Sequence, residues 1–310
     1  MILCIGTTPA AQRVMIFTTL EVDAVNRARH TYDGIAGKSI NVAKVLTTLG
    51  EQAAATGFLG GNSGREILGQ LNARGITTQF VSVKPPTRQC ITVLDQTVQT
   101  VTELVEESRP VAPEDYPALE VIIDLFLSKC RAVVMSGSLT PGGPVDFYRK
   151  ITETANRRGL LTVVDAQGPP LAAALEAKPS LVKPNRQELA ATVGRPLATE
   201  SQVIDAMSDV RQRGAARVVV TAGKAPALAL DSKSVWRVQT PQINPVNPIG
   251  SGDAFTAGLV WRLMQGTNLG EACRWAAAAG AANALSPLPG EVSRTDVEKL
   301  AAEVVVEKLR

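Results

Sequence analysis

The chain has one histidine, four cysteines, and aromatic residues at only 4% of its length. Cys4, Cys90, Cys130 and Cys273 form no CxxC pair, and none has a histidine close by in sequence. That pattern excludes a sequence-encoded zinc cluster and reads as four reduced thiols of a cytoplasmic protein. No run approaches the roughly 18 apolar residues of a membrane span, and MILCIGTT lacks a charged region ahead of its apolar stretch. Neither membrane insertion nor export is therefore expected, and the first residues read as a buried strand. Neither sign of charge dominates: 32 Lys and Arg face 29 Asp and Glu, scattered along the chain. There is no basic stripe for a nucleic-acid backbone and little aromatic surface on which bases could stack. His30 lies in a polar, strand-like stretch with no evident partner, so proton transfer falls to carboxylates, lysines or thiols.

With 310 residues, 45% of them apolar, the chain can fill a sizeable core without metal or disulfide staples. Short β-branched runs alternate with longer helical patterns: ATGFLG then REILGQLNARG, AVVMSGSL then VDFYRKITETANRRG, LLTVVDAQ then LAAALEAK, and later RVVVTAG. Such alternation predicts an α/β fold, a doubly wound and mostly parallel sheet flanked by helices. Residues 10–35 and 87–106 break the rhythm, because RQCITVLD and VQTVTELVE read as neighbouring strands with no helix between them. These two segments are expected to form a small β-sheet lid over the crevice beyond the carboxyl ends of the main strands. No repeat or low-complexity linker divides the chain, so residues 1–310 read as one domain carrying a discontinuous lid.

The strongest local signal is NPIGSGDAFTAG, a glycine-rich turn opening a long helix after the strand-like VWRVQTPQINPV. Gly250 and Gly252 let backbone N–H groups converge with the positive end of the helix dipole, which suits charge growing on a transferring phosphoryl group. Asp253, in the first helical turn, is placed to take a proton from an attacking hydroxyl; an ordinary helix cap would use the same residue types. Phe255 stands where a dinucleotide fingerprint needs its third glycine. Gly37, Lys38 and Ser39 match the end of a phosphate-binding P-loop, but Tyr32 occupies its first glycine position. Gly37 and Lys38 are thus a turn into the helix INVAKVLTTLG, where Lys38 offers an anion site or is a solvated lysine. VKPNRQEL puts Lys183, Asn185 and Glu188 where a strand passes into a helix. Glu188 there can hold a hydrated magnesium ion, close a capping box with Asn185, or do both.

Taken in order, AGKSINVAKVLTTLG, TGFLGG, TRQCITVLD, SGSLTPGGPVDFY, VKPNRQEL, VVVTAG and NPIGSGDAFTAG resemble the ribokinase-like (PfkB) superfamily of carbohydrate kinases. Within it the chain is similar to the 1-phosphofructokinase and tagatose-6-phosphate kinase branch. The resemblance implies transfer of the ATP γ-phosphate to a ketohexose monophosphate such as fructose 1-phosphate or tagatose 6-phosphate. Mg2+ would bridge the phosphates, and some relatives add a monovalent cation. By that likeness Asp253 is the base and Gly250, Ser251 and Gly252 form the anion hole. Lys38 and Arg88 would grip the acceptor's phosphate, with Gly37, Asn41 and Ser138 lining the sugar pocket. Lys183, Asn185, Thr221, Gly223 and Asn283 match ATP-contacting positions, and Glu188 the magnesium-associated acid. The lid of this family often pairs with its twin, so a homodimer is expected.

Departures gather on the sugar side. Where relatives carry NPxxD, this chain has TPAAQ, with Gln12 in place of an aspartate that binds sugar hydroxyls. Gln12 can still hydrogen-bond a hydroxyl but brings no charge. Ser39 replaces a glycine, Ser108–Arg109 stands for a Gly-Pro pair after the lid strand, and TAGKAPAL lacks the second glycine usual after that loop. Two other readings follow from the same residues: a kinase for another sugar or alcohol, and an inactive sensor of sugar phosphate or ATP. The intact glycine turn, Asp253, Lys183 and Glu188 argue against the sensor, and Arg88 with Lys38 argues for an anionic acceptor.

Overall fold

A computed structural model describes residues 1–310. The N-terminal half carries β1 (Ile2–Gly6), β2 (Ala10–Phe17), β3 (His30–Ala36), α1 (Lys38–Thr48), β4 (Ala53–Leu59), α2 (Gly61–Ala73), the short β5 (Thr77–Thr78) and β6 (Val81–Ser82), β7 (Arg88–Asp95), β8 (Thr100–Val105), α3 (Asp115–Leu127), β9 (Ala132–Ser136) and α4 (Phe147–Arg157). There follow β10 (Leu161–Asp165), α5 (Gly168–Glu176), β11 (Leu181–Val182), α6 (Arg186–Val193), α7 (Glu200–Gln212), β12 (Val218–Ala222), β13 (Ala225–Leu230), β14 (Val235–Gln239), α8 (Ser251–Leu263), α9 (Leu269–Ala284), α10 (Arg294–Glu303) and β15 (Val305–Lys308).

The main sheet runs β15-β14-β13-β12-β11-β10-β9-β1-β4-β5, with β6 against the end of β4. From β12 to β4 all neighbours are parallel, and β13, β14 and β15 close one edge antiparallel. The parallel strands are short, apolar and β-branched because helices cover both faces. In β1 the pleat sends Ile2 and Cys4 into the core beneath α1, α2, α8, α9 and α10, and Leu3 and Ile5 into the core beneath α3 to α7. The expected strand after residue 235 stops at Gln239. Pro241, Pro245 and Pro248 lack the N–H a ladder needs, so residues 240–248 leave the sheet as a loop.

The two segments that broke the α/β rhythm form a separate four-stranded sheet, ordered β3-β2-β7-β8. Here β2 is central, antiparallel to β3 and parallel to β7. Its apolar support is thin: Val14, Ile16 and Leu94 make a small cluster joined by Val101 and Leu288. The four cysteines are free and buried, and no helix is long and apolar enough to cross a membrane.

Candidate active site

Helix α8 begins at the carboxyl edge of the main sheet on a residue no other side chain would tolerate. Gly250 has φ 84°, and a Cβ there would lie 2.8 Å from Pro289 Cβ. The left-handed turn points the first amides of α8 out of the sheet edge, and Asp253 follows in the first turn, buried. Behind this turn Asn283 is wholly buried: its Nδ2 donates to Ile249 O at 2.9 Å and to Ser251 Oγ at 3.3 Å, and its Oδ1 accepts from Gly290 N at 2.7 Å. Asn283 thus braces the glycine turn from within.

Around Asp253 the fold assembles residues far apart in sequence. Asn41 Nδ2, from α1, donates to Asp253 Oδ2 at 2.8 Å. Lys38, one turn earlier on α1, reaches Asp165 Oδ1 at 3.3 Å and lies 3.7 Å from Glu188 Oε1. Lys183 Nζ, nearly buried, meets the other Asp165 oxygen at 3.1 Å and sits 3.8 Å from where a side chain at Gly252 would begin. Thr256 Oγ1 donates to Asp165 Oδ2 at 3.0 Å. Gly37, with φ 118° and only 2.9 Å from Pro9 Cα to its would-be Cβ, is the close turn that lets α1 start here.

The two buried carboxylates of this cluster respond in opposite directions. Burial is the largest influence on Asp253, and with the nearby Asp165 charge it lifts the carboxyl to about 6 against the pull of Lys38, Asn41 and Lys183. Burial would also raise Asp165, but Lys183 and Lys38, with hydrogen bonds from Lys183 and Thr256, outweigh it and hold that carboxyl below its ordinary value. Asp165 in turn pushes the Lys38 ammonium pKa up. The result is an ionised bridge between two lysines beside a carboxyl raised to about 6.

Asn185 and Glu188 form the capping box at the start of α6: Glu188 N donates to Asn185 Oδ1 at 2.9 Å, and Asn185 N to Glu188 Oε2 at 2.8 Å. Glu188 keeps its other oxygen toward Lys38, so the cap and an anionic group at the site coexist. No set of three His, Cys, Asp or Glu side chains converges as a metal cage. A hydrated Mg2+, which keeps several waters and uses few carboxylates, fits a lone half-buried carboxylate of this kind.

Beside the α8 turn opens a pocket of about 370 Å³. Its walls come from the β12–β13 turn, the proline-rich loop 240–248 and the facing sides of α8 and α9, including Thr221, Gly223, Ser251 and Gly252. Phe255, Ile243, Ala277 and Ala281 make it largely apolar, suited to a flat ring system. Asn185 is tied to Thr221 by an isolated β-bridge at this edge.

The remaining acceptor-side candidates lie toward the second sheet. Gln12 is buried, its Nε2 donating to Thr92 Oγ1 at 2.8 Å, which leaves its carbonyl oxygen as the acceptor. Arg88 donates to Thr8 O at 3.1 Å and Glu106 O at 3.2 Å, and its Nε is buried without a partner. Ser138 is exposed, and its carbonyl accepts from Thr7 Oγ1 at 3.0 Å. His30 is exposed at the start of β3. Sequence reasoning passed over Asp165 and Thr256. For Asp165 a signal existed: an aspartate ending the apolar strand LTVVD, at the edge where ligands bind.

A parallel sheet covered on both faces, a small second sheet beside it, and a buried aspartate at a glycine-turned helix start together define a ribokinase-like α/β protein. The chain belongs to the pfkB family of carbohydrate kinases, whose model matches residues 1–296. It is 25% identical to a Thermotoga maritima protein described as a possible 1-phosphofructokinase, covering 100% of this chain and 99% of that one with a TM-score of 0.92. Escherichia coli phosphofructokinase-2, solved in complex with potassium, matches at 27% identity over 97% of this chain and 98% of that one, TM-score 0.88. Arabidopsis thaliana ribokinase, 18% identical over 97% and 98% with a TM-score of 0.76, shares the fold. The protein is accordingly a sugar kinase of the phosphotransferase class, a family property that brings ATP and usually Mg2+ with it.

Proposed function

We propose that the protein phosphorylates a ketohexose monophosphate, fructose 1-phosphate or tagatose 6-phosphate, to the bisphosphate, with Asp253 as general base. The observation that carries this reading is the Asp253 environment. Its carboxyl is raised to about 6, so it is ionised at neutral pH yet basic enough to accept a proton as the hydroxyl attacks. Asp253 takes that proton while the acceptor oxygen bonds the γ-phosphorus and the bond from phosphorus to ADP breaks. The amides of Gly250, Ser251 and Gly252 with the α8 dipole stabilise the charge on the moving phosphoryl group, and Lys183 lies close enough to share in this. The pocket beside Ser251 and Gly252 takes the nucleotide base, with Thr221 and Gly223 at its wall and Asn185 at its rim. Asn283 acts by holding the turn. Glu188 would hold Mg2+ through water, and the ion would supply neutralisation of phosphate charge.

On the acceptor side Lys38 and Arg88 meet the phosphate already present, while Gly37, Asn41, Ser138 and Gln12 line the sugar pocket. E. coli phosphofructokinase-2 has been solved with fructose 6-phosphate, which places that compound in the acceptor panel as well. The second sheet serves as lid to a main domain spanning the chain, and it pairs with a second copy: Tyr32, Val98, Leu104 and Val105 are exposed on it. A cytoplasmic setting suits the four free thiols. A monovalent cation, as in the potassium complex of the E. coli relative, belongs to the same reading.

The test is ADP release from Mg-ATP with fructose 1-phosphate, tagatose 6-phosphate, fructose 6-phosphate, fructose and ribose. Turnover confined to phosphorylated ketoses supports the proposal. ATP binding with no turnover on any acceptor would replace it with a sensor, and preference for fructose or ribose would move the acceptor class.

A further inference from the structure

Arg88 is only partly available as a phosphate ligand in this chain. Two of its terminal N–H groups are already committed to the carbonyls of Thr8 and Glu106, and its Nε is buried without a partner. The planar fork of an arginine grips a phosphate well only when two of its N–H groups are free on one edge. A second guanidinium lies on the same small pocket. Arg109, in the segment between β8 and α3, lines it together with Arg88, Thr8 and Ser108, and no carboxylate contributes to its walls. Glu107, two residues before Arg109, is exposed and pairs with no cation, and Glu106 is turned to the backbone, accepting from Gln89 N at 2.9 Å. Arg109 itself is exposed and forms no ion pair or hydrogen bond within the protein, so its five donors are free. The pocket neighbours the candidate active site: Thr8 Oγ1, on its wall, and Lys38 Cβ each lie 3.8 Å from the would-be Cβ of Gly137.

We infer that Arg109 is a second anchor for the acceptor's existing phosphate and a determinant of the preference for phosphorylated over neutral sugars. The inference rests on the kinase reading above and deepens it. Arg88, immobilised by two carbonyls, fixes one side of the phosphate. Arg109, free to swing from its loop, closes on the other oxygens with the Ser108 hydroxyl beside it. The cost of ordering a flexible arginine falls on binding, so its contribution appears in KM for the phosphorylated acceptor.

Arg109→Ala and Arg109→Lys are compared with the parent enzyme by steady-state kinetics and by calorimetric titration with inorganic phosphate. The inference predicts that Arg109→Ala raises KM for the best phosphorylated ketose at least tenfold while kcat stays within about threefold and KM for ATP does not move. Lysine, keeping the charge and losing the fork, recovers part of the loss. Because Arg109 has no internal partner, both variants are expected to fold, and unchanged melting temperatures check this. An unaltered KM in Arg109→Ala overturns the inference while leaving the kinase assignment standing. Should the parent enzyme turn over no phosphorylated ketose, the functional reading fails, and the phosphate titration decides the Arg109 question by itself: weaker binding in Arg109→Ala supports the anchor, and equal binding overturns it.

Discussion

The turn that starts α8 and the four-stranded sheet are supported in contrasting ways. Asp253 is flanked on α8 by Ala254, Phe255 and Ala257, members of a core cluster of 42 buried residues, and it is locked by Asn41 and the Gly250 turn. The second sheet rests on Val14, Ile16 and Leu94, and most of β8 is exposed. A general base gains from rigidity, because a displacement of about an ångström can cost roughly a hundredfold in rate. A sheet that must admit and enclose an acceptor gains from low local stability. On the proposed function, the contrast separates chemistry, anchored in the main sheet, from enclosure of the acceptor, to which the lightly held sheet contributes Gln12 and Arg88.

The sharpest way to break that separation is Asp253→Asn. Turnover should fall at least a hundredfold while stability rises. The sign follows from the raised carboxyl: the folded state favours the protonated form, so ionisation destabilises the protein as pH climbs from about 4 to about 6. Removing the charge should stabilise the fold at pH 7.5 by on the order of 2–3 kcal/mol, a gain that disappears near pH 4. Thermal melts at the two pH values measure it. Asp165→Asn should do the reverse to stability, costing about 3–5 kcal/mol because it leaves Lys183 buried without its partner. Gly250→Ala should cost about 1–3 kcal/mol, through its φ of 84° and the collision with Pro289, and abolish activity by moving the turn. Gly252→Ala meets only Lys183 Nζ at 3.8 Å, so its melting temperature should hold while kcat drops. The smallest effect is expected on the second sheet. Leu94→Ala should raise KM for the acceptor severalfold with little change in kcat or in KM for ATP, which initial-rate kinetics resolve.

The α/β alternation and the two segments that interrupt it were legible because periodicity and β-branched runs record which faces are buried. The Gly250–Asp253 turn was legible because only a glycine-rich opening lets a helix start this way. Asp165 was not, because its role is defined by Lys38 and Lys183, 127 and 18 residues away, which only folding brings to its two oxygens. Asn283, which the resemblance marks as an ATP contact, also has a bracing role that only the fold reveals, since its amide bonds the 249 and 290 backbone. The end of β14 was misjudged where prolines outweighed an apolar pattern. Arg109 stood out only as a departure from the family pattern, since only folding brings it onto one pocket with Arg88, 21 residues earlier in the chain.

The most direct test of the account is the pH dependence of turnover at saturating substrates, measured on the parent enzyme and on Asp165→Asn. The parent profile should fall about tenfold per unit below pH 6 as Asp253 takes up its proton. Since the Asp165 charge raises the Asp253 carboxyl, its removal should move that limb to lower pH, which titration of a substrate phosphate would not do. A limb that stays in place when Asp165 is neutralised, or full activity persisting at pH 5, would contradict the assignment of Asp253 as the base.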